Sequence, residues 1–343
     1  MKFLLFKSTI LILIILGIGY TANAQGLPSV IGGLELTPST SSPAPGQTVT
    51  ITAQSFSSNI NSAKVTWSVG GKVIQSGTGL NKLDVVAPPL GQRKTVIVTI
   101  VTNEGQSISK SLDIIPGSID MIVETDGYTP PLFPGKLSPV YQNTVKIVAI
   151  PHIAINTKDE LDPSKLVYQW KRNDQVLQDQ SGYGKNSISV TGDIIPRPYI
   201  ITVVVSSQDG KYSSVGSVNI AETDPSINFY VNDPLYGLLF NKTAESNIKI
   251  DTNRRVNVLA IPYGFSKDGL DNLVLSWLIN GDPHSELSKS NSIVLRAPEG
   301  QAGYSNIQLQ INDQNKLLQR ASSGFSTTFT ANKSSVENNN VTF

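Results

Sequence analysis

The segment Val65-Thr-Trp67-Ser-Val69 has two further copies in this chain, Val167-Tyr-Gln-Trp170-Lys-Arg172 and Leu273-Val-Leu-Ser-Trp277-Leu-Ile279. The copies lie roughly a hundred residues apart, and a polar turn follows each one. About thirty residues after each copy comes a strand-like apolar stretch, at 95–101, 199–205 and 304–311. A tryptophan-centred strand repeated at this interval is typical of tandem β-sandwich modules, with the three tryptophans in their cores.

The rest of the chain also indicates an all-β protein. Short stretches of alternating apolar and polar residues are bounded by Gly, Pro, Asn and Asp, and no segment after the N-terminus has a helical apolar stripe. The sequence therefore predicts three tandem Greek-key sandwiches. Their predicted boundaries are 33–116, 117–221 and 222–330, and the Asn- and Ser-rich segment 331–343 is predicted to be a disordered tail.

Residues 1–24 are predicted to be a signal peptide. Lys2 and Lys7 give a positively charged start, an apolar stretch of about a dozen residues follows, and Ala22-Asn-Ala24 offers the small-x-small pattern for cleavage before Gln25. An uncleaved N-terminal anchor is the alternative, although the apolar stretch is shorter than the roughly 20 residues that span a bilayer. The expected location is outside the cytoplasm: extracellular, on the cell surface or periplasmic.

Charge and cysteine content narrow the possible partners. The chain has 27 basic and 26 acidic residues, and removal of the signal peptide takes away two lysines and no acids. This balance provides no field that would attract nucleic acid or an anionic membrane surface. The absence of cysteine excludes disulfides and thiolate metal sites, so each sandwich must be held by apolar packing. In an exported chain it also favours a bacterial origin.

The tryptophan strand, its polar turn and the later tyrosine strand resemble the bacterial immunoglobulin-like (Ig-like) domains, including those of the polycystic-kidney-disease (PKD) type. Tyr199 and Tyr304 stand where that family begins its penultimate strand, whereas the first module has Lys94 near that place. The resemblance covers roughly residues 33–330. It implies an Ig-like fold of the kind used by secreted and surface proteins, and it implies no particular ligand.

The sequence offers little for catalysis. His152 and His284 are the only histidines, and they lie in different repeats. Zinc needs three or four ligands, which these two could complete only with distant carboxylates. No Gly-x-Ser-x-Gly elbow and no phosphate-binding glycine loop is present. The chain is therefore predicted not to be an enzyme and to use no cofactor.

An acidic loop precedes the second and third tryptophan strands. Carboxylates three positions apart could help to bind calcium, which prefers oxygen ligands. We favour a simpler interpretation, in which each loop is one helical turn, capped by Asp159 or Asp268, and carries no metal. The weak metal candidates are Asp159, Asp162, Asp268 and Asp271.

An apolar, proline-bearing stretch occurs at corresponding places in the second and third modules. Exposed aromatic residues there would form a contact patch, whereas buried ones would mark a strand that crosses between sheets. We favour the buried interpretation for the two phenylalanines and expect the tyrosines to face a neighbouring module. The residues are Tyr128, Phe133, Tyr236 and Phe240.

These features favour a non-catalytic secreted or surface protein that acts as a rigid spacer and binding module in adhesion or envelope assembly. The short, proline-containing junctions predict a semi-rigid, elongated rod. The expected partner is a protein or glycan at the cell envelope, with no nucleic acid, and with membrane contact only if the N-terminal segment stays uncleaved. An accessory or anchoring subunit of an exported enzyme, pilus or secretion apparatus is the alternative.

Overall fold

The computed structural model describes residues 33–131, 133–244, 247–251, 254–297 and 301–330. The predicted signal peptide at 1–24 and the predicted tail at 331–343 lie outside the described residues. Nearly all regular structure in the described part is β-strand, interrupted only by four short 3₁₀ turns. The prediction of an all-β fold is confirmed.

Seven strands form the first sandwich. They make a three-stranded sheet in the order β1-β2-β5 and a four-stranded sheet in the order β4-β3-β6-β7. Their bounds are β1 Leu34–Pro38, β2 Thr48–Ser55, β3 Lys64–Val69, β4 Lys72–Thr78, β5 Lys82–Val86, β6 Lys94–Val101 and β7 Ser107–Ile114.

The second sandwich comprises eight strands. One sheet has the order β13-β9-β8, and the other has the order β11-β10-β14-β15, with β12 also paired to β10. Their bounds are β8 Gly117–Thr125, β9 Thr144–Ile153, β10 Val167–Arg172, β11 Gln175–Val176, β12 Gly182–Tyr183, β13 Ser187–Thr191, β14 Tyr199–Ser206 and β15 Ser213–Ile220.

The third sandwich repeats this plan. Its sheets have the orders β17-β16-β19-β22 and β18-β24-β23-β20-β21, and β18 pairs in parallel with β24. The bounds are β16 Ser226–Asp233, β17 Gly237–Thr243, β18 Asn247–Ile250, β19 Arg255–Tyr263, β20 Leu273–Ile279, β21 Asp282–Pro283, β22 Ser292–Arg296, β23 Gly303–Asp313 and β24 Arg320–Phe329.

This strand order is that of immunoglobulin-like domains. Strands A, B and E of that fold lie in one sheet and C, F and G in the other, and β8, β9 and β13 face β10, β14 and β15 in the same way. Alternation builds the shared core, since every second residue of β9 is buried. Residues from both sheets meet in one apolar cluster in the second sandwich and in another in the third. The predicted resemblance is confirmed at the level of the fold.

Two-residue hairpin loops follow all three tryptophan strands. Both loop residues have positive φ in each case, the conformation that turns a strand back without splaying the pair. Gly, Asn and Asp adopt it most readily, which is why the turns contain them. The loops are Gly70-Gly71, Asn173-Asp174 and Asn280-Gly281.

The chain divides into two compact units. The described residues of the first are 33–37, 51–83 and 96–112, which include β3 and β4. The second unit contains 38–50, 84–95 and the described residues from 113 onward, so it holds the second and third sandwiches. The predicted module boundaries at 33–116, 117–221 and 222–330 stay a prediction.

Candidate functional site

The three tryptophans lie in the sandwich cores. Trp67 and Trp170 are 0 % exposed and Trp277 is 1 % exposed. Each indole N–H donates to the backbone carbonyl of a residue that precedes the next core strand, so neither the ring nor its polar atom is available to a ligand. The acceptors are Leu80 at 2.7 Å, Lys185 at 2.8 Å and Ser290 at 2.8 Å.

Both histidines lie beside carboxylates. His152 Nε2 lies 3.3 Å from Asp120, and its Nδ1 lies 3.8 Å from Glu160. His284 Nδ1 lies 2.7 Å from Glu286. Neither imidazole has a hydrogen bond to a serine in the described residues, which a nucleophile would need. No group of three His, Cys, Asp or Glu in this part of the chain is arranged to hold a metal ion.

The acidic loop of the second sandwich uses its carboxylates locally. Asp162 caps the 3₁₀ turn Pro163–Lys165, where its Oδ1 accepts from the backbone N–H of Ser164 at 2.9 Å and from the hydroxyl at 2.7 Å. These hydrogen bonds lower the pKa of Asp162. Asp159 accepts from Asn156 Nδ2 at 2.8 Å. The capping carboxylate of this turn is therefore Asp162 and not Asp159.

In the third sandwich the two corresponding carboxylates have different surroundings. Asp268 lies in the 3₁₀ turn Lys267–Asn272, where its Oδ1 is 3.6 Å from Lys316 Nζ. The N-cap residue of this turn is Ser266, which makes no side-chain cap, so Asp268 lies within the turn and does not cap it. Asp271 is exposed and lies on the rim of a groove described below.

A buried polar network joins the second and third sandwiches. Asn143, which precedes β9, and Ser266 and Gln319 from the third sandwich are all completely buried. Asn143 Oδ1 accepts from Ser266 Oγ at 2.9 Å and from Gln319 Nε2, while Asn143 Nδ2 donates to Gly264 O at 2.9 Å. Gln319 Oε1 accepts from the Ser266 backbone N–H at 2.9 Å. We call Asn143, Ser266 and Gln319 the amide seam.

Gly264 and Lys316 lie next to the amide seam. Gly264 has φ +82°, and a Cβ at that position would lie 2.6 Å from Val140 Cγ2, so only glycine fits where the two sandwiches approach. Lys316 Nζ donates to Ser266 Oγ at 2.5 Å. Desolvation raises the pKa of Asp126 most. The ammonium of Lys316 and the backbone N–H of Thr144 lower it and Asp268 raises it, so that the pKa is raised overall.

The four residues of the predicted contact patch come from two sandwiches, and Tyr128 and Phe133 belong to the second. Tyr128 exchanges backbone hydrogen bonds with the third sandwich, to Phe265 O at 2.6 Å and from the Gly264 N–H at 2.9 Å. The ring of Phe133 packs 5.6 Å from Tyr263, so both residues face the neighbouring sandwich.

The other half of the patch lies in the third sandwich. Tyr236 is 76 % exposed in the turn between β16 and β17. The half-exposed Phe240 packs edge-on against Tyr230 at 5.3 Å. Phe133 and Phe240 contact the same pair of buried tyrosines, because the hydroxyls of Tyr263 and Tyr230 lie 2.9 Å apart.

A groove of about 640 Å³ brings Tyr128 of the patch together with Asp271 of the acidic loop. Its floor is apolar and runs along the start of β20, and its rim carries amide groups and one charge of each sign. Tyr128, Asp271, Leu273, Val274, Leu275, Lys289 and Ile311 are among the lining residues. A slot of this kind, with an apolar floor and few charges, suits an uncharged ligand better than a metal or a polyanion.

Sequence reasoning did not identify the amide seam or the groove. Asn143 and Gln319 have no motif around them, because a buried amide and an exposed one look alike in a sequence. The groove did leave a signal: the segment Asn-Ser-Ile follows both Trp170 and Trp277, but it begins at Asn186 in the second module and two residues sooner, at Asn291, in the third.

This chain matches no protein-family model and no curated protein. Among solved structures it is similar to the fibronectin(III)-like modules of Clostridium thermocellum CbhA, with 14% identity over 55% of this chain and 94% of that one and a TM-score of 0.26. It is similar to the three N-terminal domains of the bacteriophage RB49 outer capsid protein Hoc, with 11% identity over 88% and 99% of the chains and a TM-score of 0.26. It is also similar to the central fibronectin-III array of RIM-binding protein, with 10% identity over 87% of this chain and 96% of that one and a TM-score of 0.29.

Similarities this distant carry no information on the ligand, the partner or the activity of this chain. In the described residues no helix has the length and the apolar character to cross a membrane.

Proposed function

We propose that this chain is a non-catalytic, exported protein that acts as a spacer and binding module, with its second and third sandwiches held as a rigid pair. The amide seam is the observation that supports the rigid pair most directly. Its three side chains are buried and make several mutual hydrogen bonds, and such a network is stable in one arrangement only. A flexible tether would leave these amides in water.

The seam extends through the backbone. Besides the Tyr128 contacts, the Lys267 N–H donates to Asp126 O at 3.1 Å, and the Leu318 N–H donates to Gln142 Oε1 at 2.7 Å. Side-chain and main-chain bonds thus fix the same joint. A fixed joint holds the groove beside it in one shape, which is what a binding module needs.

Scanning calorimetry of the purified protein tests the rigid pair. We expect the second and third sandwiches to unfold in one transition, because each loses a buried network when the other unfolds. Gln319→Ala should split or lower that transition, since it leaves the buried Ser266 backbone N–H without its acceptor and removes one of the two donors to Asn143 Oδ1, at a cost of about 1–3 kcal/mol. Gln208→Ala, at an exposed turn position, is the matched control and should change nothing. Separate transitions of the second and third sandwiches in the unmodified protein would contradict the proposal.

Export is the second part of the proposal, and it is supported by the charged start, the apolar stretch and the Ala22-Asn-Ala24 pattern. Mass spectrometry of the protein from its native host should find Gln25 as the first residue, outside the cytoplasm. An intact Met1 or Lys2 would support the uncleaved anchor instead. The expected partner is a protein or a glycan of the cell envelope.

A further inference from the structure

The outer edge of the tryptophan strand is covered to a different extent in each sandwich. In the first, β4 pairs with β3 along its whole length, from Lys64↔Thr78 to Val69↔Lys72. In the second, β11 covers one end of β10 and β12 covers the other, at Val167↔Tyr183 and Tyr168↔Gly182.

In the third sandwich only one end of the edge is covered. The two-residue strand β21 pairs with Leu278 and Ile279, and no strand in the described residues pairs with Leu273–Leu275 on that side. The first half of β20 is therefore an open sheet edge.

A two-residue difference in chain length accounts for the missing strand. The connection from the tryptophan to the carbonyl that accepts its indole N–H spans Trp170 to Lys185 in the second sandwich and Trp277 to Ser290 in the third. Both connections start alike, because Leu177 and His284 each donate to the tryptophan carbonyl seven residues before them. The residues that the third sandwich lacks are those that form β12.

The open edge presents backbone hydrogen-bonding groups. Trp277 O accepts from the His284 N–H at 3.0 Å, so the Trp277 backbone points to the outer side. The backbone N–H and C=O of successive residues in an antiparallel strand point to opposite sides, so every second residue points the same way. The N–H and C=O of Leu275 and the C=O of Leu273 therefore point outward, as those of Trp277 do. In the second sandwich the equivalent carbonyl, Leu166 O, accepts from the Gly184 N–H at 2.8 Å.

The side chains leave a slot beside this edge. Tyr168 fills the corresponding place in the second sandwich, where it is completely buried and its hydroxyl donates to Pro163 O at 2.9 Å. The third sandwich has the smaller Leu275, which is half-buried, and the groove runs past it as far as Ile311 in the core. An apolar slot and a free backbone edge thus lie side by side.

Resting on the binding part of the proposed function, we infer that this groove binds an extended polypeptide segment, which adds to β20 as an antiparallel strand and inserts one apolar side chain beside Leu275. Backbone groups supply the affinity in this mode of recognition, and the slot supplies the selectivity. The second sandwich shows the arrangement within one chain, since Gly182 and Tyr183 occupy the equivalent edge. Asp271 and Lys289 on the rim balance each other, so the segment needs no net charge.

Hydrogen exchange of the purified protein provides the first test. The N–H of Val274 points into the sheet toward β23 and should exchange slowly, while the outward N–H of Leu275 should exchange fast. A slow Leu275 N–H in the peptide-free protein would overturn the inference, because another part of the chain would then already cover the edge.

Selection from a library of short linear peptides provides the second test. We expect peptides with one apolar side chain between small residues, which slow the exchange of the Leu275 N–H when bound. N-methylation of the peptide backbone on the face that pairs with β20 should weaken binding by at least about ten-fold, because it removes the donors and keeps the side chains. Failure to select any peptide, or equal binding after N-methylation, would overturn strand addition.

Two variants separate the site from the fold. Replacing residues 288–290 with the five-residue sequence of 181–185 restores the connection of the second sandwich and should abolish peptide binding without lowering thermal stability. Leu275→Tyr fills the slot and should weaken binding independently. Val294→Thr, on an exposed position of β22, is the control and should bind as the unmodified protein does.

The inference and the proposed function can fail separately. Binding that persists in both edge variants would contradict the groove and leave the rigid pair untouched. Separate unfolding of the second and third sandwiches, with peptide binding intact, would contradict the rigid pair and leave the groove untouched.

Discussion

Each tryptophan combines a large apolar surface with one polar atom that has to be satisfied. For Trp170 the ring lies among residues of both sheets, and the indole N–H donates to Lys185 O. That bond ties the connection before β13 to the core, so the residue fixes a loop as well as filling space. The same pairing recurs at Trp67 and Trp277.

Trp170→Ala should destabilise the second sandwich by about 3–5 kcal/mol, because it leaves a large cavity and frees the Lys185 carbonyl. Urea unfolding followed by circular dichroism measures the loss. Tyr183→Ala removes an aromatic ring that is exposed and should cost far less. Equal stability of Trp170→Ala and the unmodified protein would show that the ring is not a core residue.

Asp126 is a carboxyl group whose charge is disfavoured by its position at the joint. Desolvation raises its pKa most, Lys316 lowers it, the hydrogen bond from the Thr144 N–H lowers it, and Asp268 raises it. Because the folded pKa lies above the unfolded value, folding favours the protonated form. The stabilisation is complete below the ordinary Asp range and is lost as the pH rises through the folded pKa.

NMR titration of the carboxyl carbon can resolve these opposing contributions. Lys316→Met should raise the pKa of Asp126 further, and Asp268→Asn should lower it toward the ordinary value. Asp84→Asn, which removes an exposed carboxylate of the first sandwich, should leave it unchanged. A fall in Lys316→Met would mean that the ammonium does not act on this carboxyl.

The role of a single residue was predictable from the sequence only where its side-chain type and its position in the strand pattern indicated the same environment. A tryptophan in an alternating strand belongs in a core, and all three are buried there. Asn143 and Gln319 gave no such indication, since their burial depends on where the third sandwich docks. No local pattern encodes that placement.

At the level of elements, the hairpin loops set the direction of the chain after each tryptophan strand. Gly281 has φ +92°, and a Cβ there would meet nothing within 4 Å. Any cost of a side chain at this position is therefore conformational and not steric.

Gly281→Ala should destabilise the third sandwich by about 1–2 kcal/mol, the cost of a left-handed residue with a Cβ. Gly303→Ala is a matched control, because Gly303 also has open space around it but lacks the positive φ. That change should be neutral or slightly stabilising, since it restricts only the unfolded chain. Thermal unfolding of both variants distinguishes them, and equal effects would show that φ is not the cause.

The strands and their hairpin loops were predictable from the sequence, whereas the pairing of their outer edges was not. The alternation and turn residues predicted the tryptophan hairpins, because both depend on local conformation. The short distance from Trp277 to Asn291 is also visible in the sequence, but its consequence depends on the path of the shortened connection. The same two-residue deletion could have shortened a loop and left the edge paired.

At the scale of the whole molecule, the joint between the second and third sandwiches brings carboxylates of both sandwiches close to one lysine. Lys316 Nζ lies 3.6 Å from Asp268 and donates to Ser266 of the amide seam. An ammonium thus supplies positive charge at a place where carboxylates of both sandwiches, Asp126 and Asp268, come together. The lysine offsets part of the negative charge of these two carboxylates.

Millimolar calcium and EDTA should therefore leave the melting temperature unchanged. A ligand that binds only the folded state must stabilise it, so an occupied calcium site would appear as a shift. At the joint, a divalent ion would have to displace the ammonium of Lys316. In the other acidic loop, the oxygens of Asp159 and Asp162 already accept hydrogen bonds from their own turns. A calcium-dependent rise that disappears in Asp268→Asn but persists in Asp162→Asn would locate an ion at the joint and would contradict the role assigned to Lys316.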